Sequence, residues 1–161
     1  MALAAPLAAG PDVAVRVLGL FHAREVELRA PAGGGVRVVG NSGEFRLEGA
    51  TAARVRLSGG ALTVEADGRR LTGAEFVAAG GAGVRVALPR RIERTYAGSW
   101  RLRAADGEIE LLARLPLEEA VAAVVESEAG PGAPPEAAWA QAVAARSYFA
   151  AGGRHAGGAF C

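Results

Sequence analysis

The chain has 161 residues, of which 51% are apolar and 22% charged, and its 18 basic and 17 acidic side chains leave a net charge of +1. This length and composition are typical of one folded domain and exclude a disordered or fibrous chain. The near-neutral balance provides no overall field that would attract phosphate backbones or anionic lipid, so a nucleic-acid partner is not expected. All 18 basic residues are arginines, which excludes lysine nucleophiles, Schiff bases and P-loop lysines.

The first ten residues, MALAAPLAAG, are small and apolar. They are similar to the end of a secretory signal with its cleavage region, although no basic segment precedes them. Two interpretations stay open for residues 1–10, a signal-peptide remnant or a disordered alanine-rich tail. No apolar run approaches the ~20 residues of a membrane span, so no span is expected in this chain.

A period of two dominates from residue 11 to about residue 115. Apolar side chains alternate with polar ones in short runs, as in Val26 and Leu28 or Trp100 and Leu102. Glycine-containing turn signals separate the runs. This pattern predicts antiparallel β-hairpins with one buried and one wet face. The polar positions are mostly Arg and Glu, which predicts cross-strand charge pairs.

The pattern changes to a helical period after Pro116. Prolines where each helix begins, acidic residues in the first turns and glycines after each helix predict two helices, over residues 117–129 and 135–151. We expect these helices to be adjacent and antiparallel. The predicted fold is therefore α+β, a hairpin-rich antiparallel region followed by two antiparallel helices. We divide the chain into residues 1–10, a β-rich region over 11–95 and a core segment over 96–161.

Glu128 is the candidate catalytic residue of the first helix. The apolar stripe of that helix comprises Leu117, Ala120, Val121, Val124 and Val125. Continuing the same helical spacing leads to Glu128, which predicts a carboxyl group on the buried face of the helix. Glu126 lies elsewhere on the helical wheel and should face solvent. Burial and the negative end of the helix dipole both favour a protonated acid, the form that protonates a glycosidic oxygen. The alternative is a helix-end glutamate that turns outward to water.

The second helix carries the other candidate polar residues. A buried or half-buried Arg146 would need an anionic partner, for which Glu119, Glu128 and Glu136 are candidates. Gln141 and Arg146 can alternatively serve internal hydrogen bonds or ion pairs. Trp139 is expected to pack in the interior rather than to stack on a sugar.

The helical segment resembles the stage II sporulation protein D (SpoIID) family, also called the amidase-enhancer family. The resemblance lies in PLEEA and VVESE over residues 116–128 and in PEAAWAQAVAARSY over 135–148. It implies a bacterial, extracytoplasmic lytic transglycosylase that acts on peptidoglycan glycan strands, best known on strands without stem peptides. Glu128 matches the family's catalytic glutamate, while Gln141 and Arg146, with Tyr148 beside them, match the substrate-binding region.

The family mechanism needs one acid, in contrast with the carboxylate pair of ordinary glycosidases. The acid protonates the leaving oxygen and then assists attack of the muramoyl 6-hydroxyl on its own C1, which gives a 1,6-anhydro end. Two positions depart from the family pattern, because Trp139 stands where many members have lysine and Ala129 where they have methionine.

The resemblance also implies that family members continue beyond the position of Cys161, in some cases with a zinc site. We therefore expect the given chain to be a fragment with weak activity or none, and Cys161 to be a candidate zinc ligand whose partners lie in a longer chain. A second class of function stays open, a non-catalytic enhancer of an N-acetylmuramoyl-L-alanine amidase or a wall-binding module. A third interpretation is a purely structural β protein whose helices cap a sheet.

Overall fold

The computed structural model describes residues 12–130, 132–152 and 160, and confirms the predicted α+β fold. In these residues, twelve antiparallel strands precede two helices. The strands are β1 Asp12–Val17, β2 Glu25–Arg29, β3 Gly35–Gly40, β4 Gly43–Glu48, β5 Ala52–Ser58, β6 Ala61–Ala66, β7 Arg69–Gly73, β8 Glu75–Ala79, β9 Val84–Leu88, β10 Ile92–Tyr96, β11 Ser99–Ala105 and β12 Glu108–Pro116. The helices are α1 Leu117–Ala129 and α2 Pro135–Ala150. The predicted signal segment and Cys161 lie outside the described residues.

The strands form two six-stranded sheets that pack face to face. One sheet has the order β1-β12-β11-β8-β3-β4 and the other β10-β9-β2-β5-β6-β7. The two sheets contact each other through β11 and β6, β12 and β5, and β3 and β7. The alternation predicted from the sequence supplies the core between them: Val26, Leu28, Val64, Trp100 and Leu102 are fully buried.

Ion pairs follow the outer faces of both sheets, as the alternation predicts. Glu25 of β2 lies 3.2 Å from Arg54 and 3.0 Å from Arg56, two neighbours on β5. On β3 and β4, Arg37 donates to Glu44 at 2.6 Å. These pairs lie at the surface, where each contributes little to stability, but they give the strands matching partners across the sheet.

The helices pack at the β1 edge of the sandwich. Ala120 and Val121 of α1 are buried, and α1 contacts β1 and β12. From α2, Ala145 and Phe149 are buried, and the Phe149 ring meets Phe160 edge to face at 4.9 Å. Phe160 also bonds to the edge strand, since its N–H donates to the Ala14 oxygen at 2.8 Å and its oxygen accepts from the Arg16 N–H at 2.6 Å.

A buried carboxylate holds the loop between β1 and β2 against the sheet. Glu108, the first residue of β12, accepts a hydrogen bond from Arg16 at 2.5 Å and one from Nδ1 of His22 at 2.6 Å. The backbone N–H of Ile109 donates to the Ala23 oxygen at 2.7 Å. The hydrogen bond from His22, and then the contacts with Arg16, hold the pKa of Glu108 below its ordinary value against the opposing effect of desolvation.

We expect Glu108→Gln to lower the free energy of unfolding at pH 7 by about 1–3 kcal/mol, because charge-assisted bonds to a buried carboxylate are lost. A carboxylate with a lowered pKa in the folded state stabilises the fold above its unfolded pKa, and this contribution is lost as the pH falls through the folded value. The difference between the variant and the wild type should therefore shrink between pH 7 and pH 3. Urea unfolding at both pH values measures it.

Glu44→Gln is the matched control for this prediction. Glu44 also pairs with an arginine that lowers its pKa, but both side chains are exposed. Its substitution should change stability much less, because water screens the pair. A difference for Glu108→Gln that is the same at pH 7 and pH 3 would contradict the stabilising role of the ionised carboxylate.

Candidate functional site

Glu128 lies in the last turn of α1 and is exposed. The burial that the apolar stripe predicts is therefore wrong, and the alternative of a helix-end glutamate that turns outward to water agrees with the structure. Burial decreases along the helix: Ala120 and Val121 are buried, Val124 and Val125 are half-buried, and Glu128 is open to water. Only the first turns of α1 lie against the β1 edge of the sandwich. The helical period correctly identified a row of residues, but it could not show that the packed surface ends before the row does.

Glu128 and Gln141 come together across the helical hairpin. Nε2 of Gln141 donates a hydrogen bond to Oε2 of Glu128 at 2.5 Å. Gln141 is half-buried on the face of α2 that also carries the buried Ala145. The amide is thus held by helix packing and fixes the position of one carboxylate oxygen, while the other oxygen accepts no hydrogen bond from the described residues.

Arg146 lies away from this pair. It is exposed and binds Glu118 in a two-point contact, with Nε at 3.1 Å from Oε1 and Nη2 at 2.5 Å from Oε2. The expectation of burial and the three candidate partners Glu119, Glu128 and Glu136 are therefore wrong. Glu118 lies in the first turn of α1, about 15 Å along the helix axis from Glu128 at 1.5 Å per residue. The ion pair raises the pKa of Arg146, lowers that of Glu118, and joins the start of α1 to the end of α2.

The aromatic side chains of α2 divide between the surface and a small cluster. Trp139 is 68% exposed and Val143, one turn later, is 62% exposed, so the predicted interior packing of Trp139 is wrong. Tyr148 is partly exposed and meets the Phe160 ring edge to face at 5.1 Å. Tyr148 therefore belongs to the cluster that closes the β1 edge, and Trp139 lies on the outer surface of the hairpin.

A groove of about 830 Å³ runs between α1 and the adjoining edges of the two sheets. Glu126, Ser127 and Glu128 line it from the helix, while Arg94 and Tyr96 line it from β10. Glu126 is exposed as predicted, but it shares the groove with Glu128, which the helical wheel did not indicate. Carboxylates therefore line one wall, and an arginine and a phenol line the other.

Sequence reasoning did not single out Tyr96 as a candidate. Its ring stacks at a tilt on Trp100, with centroids 5.2 Å apart, and is half-buried at the groove wall. Burial raises the pKa of Tyr96, with a further contribution from the nearby charge of Glu126, and Arg94 opposes the shift. The phenol is thus a neutral hydrogen-bonding group in the groove. A strand pattern alone could not show which helix faces this residue.

Metal binding finds no support in the described part of the chain, where no three His, Cys, Asp or Glu side chains are grouped as ligands. Cys161, the candidate zinc ligand, lies outside the described residues, and its role stays a prediction. Nor does any described helix have the length and apolar character to cross a membrane.

The fold and the groove define an α+β protein in which a helical hairpin places a carboxylate and an amide beside a β-sandwich. The family model SpoIID, described as Stage II sporulation protein, matches residues 105–161. This match confirms the resemblance to the SpoIID family over the end of β11, β12 and both helices, and it supports a function related to sporulation or the cell wall. No curated protein and no solved structure matches the chain.

Proposed function

We propose that the protein is a lytic transglycosylase of the bacterial cell wall, with Glu128 as its single general acid and base. The observation that carries the proposal is the hydrogen bond from Gln141 to Glu128 at the groove, within the segment that matches the SpoIID family. The substrate is the glycan strand of peptidoglycan, so the protein acts outside the cytoplasm. The proposed site residues are Glu128 as the acid and base and Gln141 as the residue that positions it.

In the first step Glu128 donates its proton to the glycosidic oxygen as the bond from that oxygen to C1 of the muramoyl sugar breaks. Glu128 is then a carboxylate, which accepts the proton of the 6-hydroxyl of the same sugar. The oxygen of that 6-hydroxyl, now without its proton, forms a bond to C1. The product is a 1,6-anhydro end, and no water is consumed. The Gln141 amide stabilises the carboxylate between the two steps because its N–H donates to one oxygen.

The groove explains how one acid could suffice. A glycan strand bound in the space between α1 and β10 would displace water from Glu128. Without substrate, the carboxylate oxygen that does not bind Gln141 is solvated. Excluding water strengthens electrostatic interactions at the acid and prevents hydrolysis of the reacting sugar. The phenol of Tyr96 and the guanidinium of Arg94 lie on the opposite wall, where they can bind sugar hydroxyl and carboxylate groups.

A non-catalytic role is the second candidate, as an enhancer of a cell-wall amidase or a wall-binding module. The exposure of Glu128 and the separation of Arg146 from it favour this candidate, because a general acid is usually shielded from water and assisted by neighbouring charges. Arg146 and Tyr148 would then stabilise the helical hairpin rather than bind the glycan.

Incubation of the purified chain with glycan strands stripped of stem peptides tests the proposal. We expect the given chain to release soluble fragments with 1,6-anhydro ends slowly, and a chain extended past Cys161 to release them faster. Mass spectrometry identifies these ends by their lack of one water relative to hydrolysis products. Fragments with reducing ends would instead show a hydrolase. Glycan left intact by both chains, together with a higher rate of a cell-wall amidase when they are added, would replace the catalytic proposal with the enhancer.

A further inference from the structure

The loop between β1 and β2 presents a large aliphatic side chain to solvent. Residues 18–24, here called the tip loop, contain a short 3-10 turn over Gly19–Phe21. Leu20 at its apex is 95% exposed, the highest value among the described large apolar residues. Leu18 and His22 on either side have left-handed backbones, with φ of 59° and 46°. This conformation is unfavourable for a leucine, so the surrounding structure must impose it.

The tip loop is held firmly in this shape. The N–H of Phe21 donates to the Leu18 oxygen at 3.1 Å, and His22 bonds through Nδ1 to the buried Glu108. The end of the loop is tied to β12 by the bond from Ile109 to Ala23. Leu20 therefore projects into water from a fixed support, where a folded chain gains nothing from it.

Three arginines lie in or beside the tip loop. Arg24 is its last residue, and Arg90 precedes Arg91 in the turn between β9 and β10. The guanidinium of Arg91 lies over the Phe21 ring at 5.9 Å. We call Arg24, Arg90 and Arg91, all exposed, the basic patch.

The basic patch has no counter-charge among the described residues. The acids nearest to it in sequence are engaged elsewhere: Glu25 pairs with Arg54 and Arg56, and Glu93 pairs with Arg85 at 3.3 Å. Glu108 is occupied by Arg16 and His22. The net charge of +1 conceals this local excess, because many of the other arginines are neutralised by the ion pairs of the outer sheet faces.

We propose that the tip loop and the basic patch dock on the surface of an anionic lipid membrane. Cations beside a projecting aliphatic side chain match an interface in which anionic headgroups lie above acyl chains. A soluble polyanion would account for the arginines but not for Leu20, which would stay in water against such a partner. Because Leu18 lines the groove, docking would hold the groove next to the membrane surface. This proposal does not depend on catalysis by Glu128.

Sedimentation of the purified chain with lipid vesicles tests the proposal. We expect binding to vesicles of phosphatidylcholine mixed equally with phosphatidylglycerol, and none to phosphatidylcholine alone. Leu20→Ser should lower the partition coefficient about tenfold, because the aliphatic contact is lost. The double variant Arg90→Gln and Arg91→Gln should lower it about 25-fold, since each arginine near an anionic surface contributes about fivefold.

The double variant Arg37→Gln and Arg46→Gln is the matched control. It removes the same charge from β3 and β4, at the opposite edge of the sandwich from the tip loop. It should bind the vesicles like the wild type, and equal melting temperatures would show that all variants are folded. The proposal would be overturned if the wild type bound both kinds of vesicle equally. It would also be overturned if the control variant lost as much binding to anionic vesicles as the Arg90 and Arg91 double variant. If Leu20→Ser bound vesicles like the wild type, and the wild type also bound insoluble anionic wall polymer, the basic patch would be assigned to a polyanion instead.

Discussion

In a chain extended past Cys161, Glu128→Gln is expected to reduce the release of 1,6-anhydro fragments from glycan strands by at least about 10³-fold. The amide can neither donate the proton that the leaving oxygen needs nor accept one from the 6-hydroxyl, and general acid and base catalysis contributes about 10²–10⁴-fold per group. The side chain is exposed and its replacement has the same shape, so the fold should be unchanged. Product release measured by mass spectrometry, with the melting temperature alongside, checks both expectations.

Glu136→Gln provides the control for the loss of one carboxylate from the helical hairpin. Glu136 is exposed in the first turn of α2 and is absent from the lining of the groove. Its substitution should leave the rate within about twofold, since a solvated surface charge has little effect at a distance. If Glu128→Gln retained the wild-type rate, Glu128 would not be the acid, and another group in the groove would have to be sought.

Gly98→Ala is expected to be the most destabilising single-atom addition in the region next to the groove. Gly98 joins β10 to β11 with φ of +81°, and a Cβ atom there would lie 2.0 Å from the backbone oxygen of Arg114 on β12. The left-handed backbone and the collision together should cost about 3–5 kcal/mol. The midpoint of thermal unfolding should fall by roughly 10 °C, since 1 kcal/mol corresponds to about 2–4 °C at this chain length.

Gly107→Ala separates the two contributions. Gly107 has nearly the same φ, +78°, in the turn between β11 and β12, but no atom lies within 4 Å of the added Cβ. Its substitution should cost only about 1–2 kcal/mol, the strain of the left-handed backbone. Equal losses of stability in the two variants would mean that the strand next to Gly98 moves aside without difficulty.

Local patterns in the sequence predicted the elements of this fold well. Alternation identified the buried side chains of Val26, Leu28 and Trp100, and proline and glycine signals placed α1 and α2 to within one residue of their ends. Both kinds of signal are local, because they depend on neighbouring residues and on backbone preferences. They could not reveal that β1 pairs with β12, since no local pattern specifies a partner so distant in the chain.

The candidate site was predicted in composition more than in geometry. Glu128 and Gln141 were both identified, and the structure brings them into contact. The predicted burial of Glu128 and the predicted partners of Arg146 were wrong. Both depend on how the helices pack against each other and against the sheets, which neighbouring residues in the sequence do not specify. The same limit explains why Tyr96 was missed, since its place in the groove arises from the position of β10 across the groove from α1.

The pairing of β1 with β12 has a consequence for the order of folding. Val13 lies opposite Leu115, so two strands that are adjacent in one sheet are separated by about a hundred residues of chain. Bringing such distant segments together loses loop entropy before any contact rewards it, and folds with many such pairings form in milliseconds to seconds rather than microseconds. On a ribosome, β1 would emerge long before its partner and remain an open edge until then. The helical hairpin that carries Glu128 follows β12 in the chain and packs on the surface that β1 and β12 form together. That surface exists only after β1 and β12 have paired, so the hairpin packs in one of the last steps of folding.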